Sequence, residues 1–133
     1  MSKDQILNVI IAVAGSIASY CFGGWNELLS VLAGFVLFDY ITGLAAGWIT
    51  GTLSSRVGFV GIVKKVFIFL VIAMAHLVDR VMGDGSLLMN GTIFFYLSNE
   101  AISILENAVR GNFPIPPMLT KAVEALKARG EQK

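Results

Sequence analysis

The sequence predicts an all-α integral membrane protein with about four transmembrane helices, three being the alternative count, and a short C-terminal amphipathic helix. Three observations carry this. The 133 residues are 56% hydrophobic and 14% charged, with a mean hydropathy of +0.75, where a soluble domain carries roughly 25% charged residues. A chain this short cannot hide so much apolar area in water. Finally, an apolar run beginning at Leu28 holds a carboxylate, Asp39, followed by Gly43, Gly47 and Gly51 at four-residue spacing. Four residues is just over one helical turn, so the glycines share a side. In a bilayer that side is a groove where a second helix can approach closely.

Composition also excludes. A net charge of +1 gives no broad basic field for nucleic acid. The single cysteine, Cys21, rules out an intrachain disulfide and any multi-cysteine metal site.

Segment one, Ile6 to about Phe22, is long enough to cross a hydrocarbon core of ~30 Å. It reads as a span and not as a cleaved leader, because Asp4 offsets Lys3 in a weak basic start. Gly23 to Glu27 form a tight turn with an interfacial tryptophan, Trp25. Segment two runs from Leu28 to about Trp48, which marks the opposite interface, and Asp39 falls near its middle. Thr50 to Gly61 read as a polar loop. Segment three follows, Ile62 to about Val81, with Lys64 and Lys65 at its start, placed to snorkel toward headgroups. With Arg56 they form an expected basic set at the inner interface. His76, Asp79 and Arg80 lie toward the far end, and His76 reads as a packing histidine rather than a ligand. Gly83 to Ser86 form a turn by composition.

Segment four, Leu87 to about Val109, is less apolar. Thr92, Tyr96, Asn99, Ser103, Glu106 and Arg110 follow three-and-four spacing, with Glu100 and Asn107 beside them. Glu106 and Arg110 are in favourable order for an ion pair. A polar stripe at membrane depth must face other helices or water. Two readings stay open: hydrogen-bonding glue inside a bundle, or a surface hidden in one assembly and wetted in another. Asp39 likewise reads as a structural hydrogen-bonding group or as a proton or ion site.

The three prolines between Asn112 and Pro117 end the helix. Residues 1–113 therefore form the transmembrane domain, and 114–133 a Pro-rich turn with an amphipathic tail. Pro117 starts the tail helix and Gly130 is its expected stop. The tail is expected at the membrane surface or against partner tails. Lysine and arginine concentrate in loop two and in the tail, so both, with the N-terminus, are expected in the cytoplasm. No nucleophile with a base, phosphate loop or metal constellation is present, so neither catalysis nor a cofactor is expected.

Five blocks then carry a resemblance. They are Phe38-Asp39-Tyr40-Ile41-Thr42-Gly43, Leu53-Ser54-Ser55, Gly61-Ile62-Val63-Lys64-Lys65, Asn99-Glu100-Ala101-Ile102-Ser103-Ile104-Leu105-Glu106-Asn107 and Pro114-Ile115-Pro116, in that order. The chain resembles the phage holin family that includes the clostridial toxin-secretion holins, from about Val31 to Leu126. The resemblance implies a homo-oligomer in the bacterial cytoplasmic membrane, with membrane lipid around it. It would open non-selective lesions through which an endolysin or a toxin crosses, leading to host-cell lysis. It implies no catalytic residue. The alternatives are a small ion channel or transporter subunit, with Asp39 and Glu100 as ion sites, and an antiholin-type lysis regulator.

Overall fold

The computed structural model describes residues 1–131, and every regular element among them is helical. The order is α1 (Lys3–Phe22), α2 (Glu27–Thr50), α3 (Ser55–Met82), α4 (Leu87–Arg110) and α5 (Pro117–Glu131). By length and composition α1, α2 and α3 are each able to cross a membrane. α4 has 24 residues, ~36 Å of helix, so it is long enough but more polar.

Local chemistry fixes the helix starts. Ser2 and Gln5 close a reciprocal capping box on α1. Asn26 caps α2 by accepting from Leu29 N–H at 2.9 Å, and Ser54 caps α3 by accepting from Val57 N–H at 3.1 Å. Such caps each stabilise by ~1 kcal/mol. The third cap corrects the expected boundary: α3 begins at Ser55, not near Ile62, and the expected loop shrinks to Gly51–Ser54. Gly58 and Gly61 lie inside the helix because α3 there passes against the Tyr40 ring. A β-carbon at Gly61 would sit 3.5 Å from that ring. Tyr40 Oη donates to the Gly58 carbonyl at 3.3 Å.

α4 is the central element, packed against α2, α3 and α5. The shared core is Leu29 and Leu32 of α2, Ile68 and Ile72 of α3, and Met89, Ile93 and Leu97 of α4. α1 packs on α3 and buries none of its own residues. Three contacts hold it near its C-terminal end. Phe22 meets Phe69 edge-on at 6.4 Å, Arg80 lies 5.5 Å from the Tyr20 ring, and His76 fills the space beside Gly23. Gly23 is left-handed, at φ 72°, and a β-carbon there would lie 2.8 Å from His76, so that turn needs glycine twice over.

The tail also departs from expectation. α5 is not free at a surface but folds back along α4. Leu126 packs onto the core cluster and the Arg129 guanidinium lies 4.6 Å over the Phe94 ring. Gly130 does not end the helix. It is buried against the α4 backbone, where a β-carbon would meet the Phe94 carbonyl oxygen at 3.0 Å.

Candidate functional site

One layer of the bundle is charged. Lys65 reaches it from α3, ten residues past Ser55 and three turns from the helix start. Its ammonium donates to Asp39 of α2 and, at 2.6 Å, to Glu100 of α4. Both carboxylates are buried, and the Lys65 side chain is 19% exposed. Lys65 is therefore not at the inner interface, where sequence spacing put it. The early start of α3 moves it to the middle of the bundle, while Arg56 and Lys64 stay exposed. An ion pair out of water holds only when its remaining polar atoms find partners, and for Asp39 Asn107 supplies them. Asn107 Nδ2 donates to Asp39 Oδ1 at 2.9 Å, to the Asp39 carbonyl at 3.2 Å and to Thr42 Oγ1 at 3.0 Å. Its two hydrogens are shared among three acceptors.

The stripe on α4 divides. Glu100, Ser103 and Asn107 turn toward α2 and α3, whereas Asn99, Glu106 and Arg110 are exposed. Arg110 does not pair with Glu106. It donates instead to the Gly43 carbonyl at 3.2 Å, and its position in the last turn of α4 suits the helix dipole. Gly43, Gly47 and Gly51 also divide. A β-carbon at Gly43 would touch Asn107 of α4, and one at Gly47 would touch Leu53 at 3.6 Å. Gly51 lies outside α2 as its left-handed C-cap, at φ 72°, donating to the Gly47 and Trp48 carbonyls. Within the chain, Gly43 thus meets Asn107, and Gly47 meets Leu53, which the turn after α2 brings back over it.

Beside the charged layer opens a cleft of about 640 Å³ between α2, α3 and α4. Tyr40, Arg56, Lys64, Asn107 and Arg110 line it along with Asp39 and Lys65.

Asp79 is a buried polar residue whose role sequence reading missed. It is 1% exposed near the end of α3 and accepts from the amides of Leu88 at 2.9 Å and Met89 at 2.8 Å. It thereby caps α4 from a neighbouring helix, where Ser86 makes no side-chain cap. An aspartate set in an apolar run just before a glycine turn was the available signal. Among the described residues no cluster of potential metal ligands occurs.

Comparison with known proteins adds a lineage. A model of the bacteriophage holin family matches residues 16–128. An uncharacterised protein of Halalkalibacterium halodurans is 41% identical over 129 residues, 93% of this chain and 96% of the relative. One of Listeria monocytogenes is 42% identical over 126 residues, 95% and 90% of the two chains. A probable holin of Bacillus phage phi105 is 32% identical over 117 residues, 86% and 84%. No solved structure matches.

Proposed function

This chain belongs to the bacteriophage holin family and is a membrane protein, and we propose that its copies associate in the bacterial cytoplasmic membrane and open lesions that pass a cell-wall hydrolase or a secreted toxin. The supporting observation is the Asp39–Lys65–Glu100 layer enclosed by helices whose outer faces are apolar. A bundle that stores charged groups inside can insert as a quiet monomer. When copies crowd, α2, α3 and α4 can part, and the same groups then line water instead of one another. Exposed Ile, Val and Leu on α1 remain against lipid or against neighbouring copies. In this reading the chain is not an enzyme, and its N-terminus and tail lie on the cytoplasmic side.

An ion-site reading of Asp39 and Glu100 has less support. The cation between the two carboxylates is already supplied by Lys65. A selective channel would also favour particular ions, whereas a lesion that passes folded protein has no such preference. Inducing the chain in a bacterium with and without a co-expressed cell-wall hydrolase separates the two. Lysis that depends on the hydrolase is expected. Ion-selective currents without passage of the hydrolase would replace the lesion reading.

A further inference from the structure

The cleft beside the charged layer is lined by more cations than carboxylates. Its one lining carboxylate, Asp39, is engaged by Lys65, and Glu100 takes the same ammonium from behind. Arg56, Lys64 and Arg110 also line it, and among the described residues none of the three has a carboxylate partner. Arg56 sits in the first turn of α3, where the helix dipole disfavours a cation. An anion bound there would relieve that conflict and gain from the same dipole.

Apolar surface sits beside these cations. Leu53, Val57 and Val60 line the cleft and are 45%, 59% and 40% exposed. Trp48, next to the lining residue Gly47, is 78% exposed. Free phosphate has no use for such surface, whereas a lipid would lay its acyl chains on it. We propose that this cleft binds the phosphate of an anionic phospholipid headgroup, with Arg56, Lys64 and Arg110 as its cationic walls. The site requires membrane insertion but not lysis, so it stands apart from the lesion reading.

Trp48 does not line the cleft but lies at the same end of α2 as its lining residues Gly47 and Leu53, and so reports on lipid there. Trp25→Phe leaves Trp48 as the remaining tryptophan of the two. That protein is reconstituted in phosphatidylcholine vesicles containing a small fraction of brominated phosphatidylglycerol or brominated phosphatidylcholine. Quenching by the anionic lipid should exceed that by the zwitterionic one by about fivefold in effective affinity, the worth of one basic side chain near an anionic surface. In Arg56→Gln/Lys64→Gln, which leaves Arg110 alone of the three, the preference should fall most of the way to parity, and in Lys64→Gln alone it should fall by less. Lys121→Gln/Lys127→Gln removes equal charge from α5 and should leave it intact. Parity in the parent overturns the site without reference to any variant's folding. An equal loss in the α5 variant would assign the preference to diffuse charge and also overturn it. Inorganic phosphate is added against chloride of equal ionic strength. Displacement of the lipid preference would identify free phosphate as the ligand and overturn the lipid assignment, whereas no displacement supports the lipid.

Discussion

The Lys65 ammonium lies 2.6 Å from Glu100 Oε2, tying α3 to α4 at the same level where it also bonds Asp39 of α2. A single cation thus joins three helices whose shared apolar core is built of Leu, Ile and Met side chains. Apolar contacts alone give helices little reason to associate in lipid, because lipid tails are as apolar as leucine. Hydrogen-bonded charge gives specificity instead, and Lys65 is the group on which two buried carboxylates depend.

Lys65→Met should therefore be among the most damaging single changes. It leaves two buried carboxylates facing each other, and breaking a buried pair in this way costs about 3–5 kcal/mol. Far less protein should accumulate in membranes than for Lys127→Met on exposed α5. Neutralising all three positions, with Asp39→Asn and Glu100→Gln added, should restore much of the lost amount, because no unpaired charge remains. An immunoblot of the membrane fraction decides it, and equal accumulation of Lys65→Met and Lys127→Met would remove the layer from the stability argument.

Asp79→Ala tests the second polar device. It deletes both acceptors for the Leu88 and Met89 amides, and an unsatisfied buried donor costs about 1–3 kcal/mol. Asp79→Asn keeps one acceptor oxygen and should lose about half as much. Thermal unfolding in detergent followed by circular dichroism should rank wild type above Asn above Ala. Equal melting temperatures would show that the α4 start does not depend on this cap.

Much of this architecture is legible in the sequence, and the misses share a cause. α1, α2 and α4 begin and end close to the limits of their apolar runs, since bilayer-scale hydrophobicity is a local property. α3 was placed too late because Ser54, Ser55, Arg56, Gly58 and Gly61 look like loop chemistry. The glycines are helical because Tyr40 occupies the space a side chain would need, which only the α2–α3 contact shows. That error carried Lys65 with it. Asp39 and Glu100 were recognisable as polar residues at membrane depth, but their shared partner was not. Asp79 and the docking of α5 are tertiary facts with no periodic signature.

Gly47→Ile should lower the amount of stable protein in the membrane fraction. Its branch would meet Leu53 of the same chain, within a turn already closed by the Thr52 and Leu53 amides on the Gly47 carbonyl. Overpacking of this kind costs about 1–3 kcal/mol. Ala45→Ile is the proper control, because Ala45 is exposed while Ala46 is 1% exposed. Normal accumulation of Gly47→Ile, combined with shorter cross-linked ladders, would move this glycine to an interface between copies.

Cys21 reports orientation. It sits near the C-terminal end of α1, partly exposed, beside the Gly23 turn. In the proposed orientation, with four spans and the basic tail inside, that turn lies outside. A membrane-impermeant thiol reagent should label Cys21 in intact spheroplasts and not when added to sealed inverted vesicles, which present the cytoplasmic face. The reverse pattern would invert the topology.

Gly130→Val tests whether α5 is latched onto α4. The new side chain would begin 3.0 Å from the Phe94 carbonyl oxygen and 3.2 Å from its carbon, both backbone atoms that cannot swing aside. α5 must then lift, losing the Leu126 packing and the Arg129 contact with Phe94. Ala128→Val adds volume at an exposed position of the same helix and serves as the control. Tail cleavage at Lys121, Lys127 and Arg129 by trypsin, added to the face that carries the tail, samples this opening. Strain at the low end of the overpacking range, about 1.4 kcal/mol, should make cleavage about tenfold faster in Gly130→Val than in Ala128→Val. Equal and rapid cleavage of both variants and of the parent would mean that α5 leaves α4 freely in the membrane, and that the buried glycine holds nothing in place.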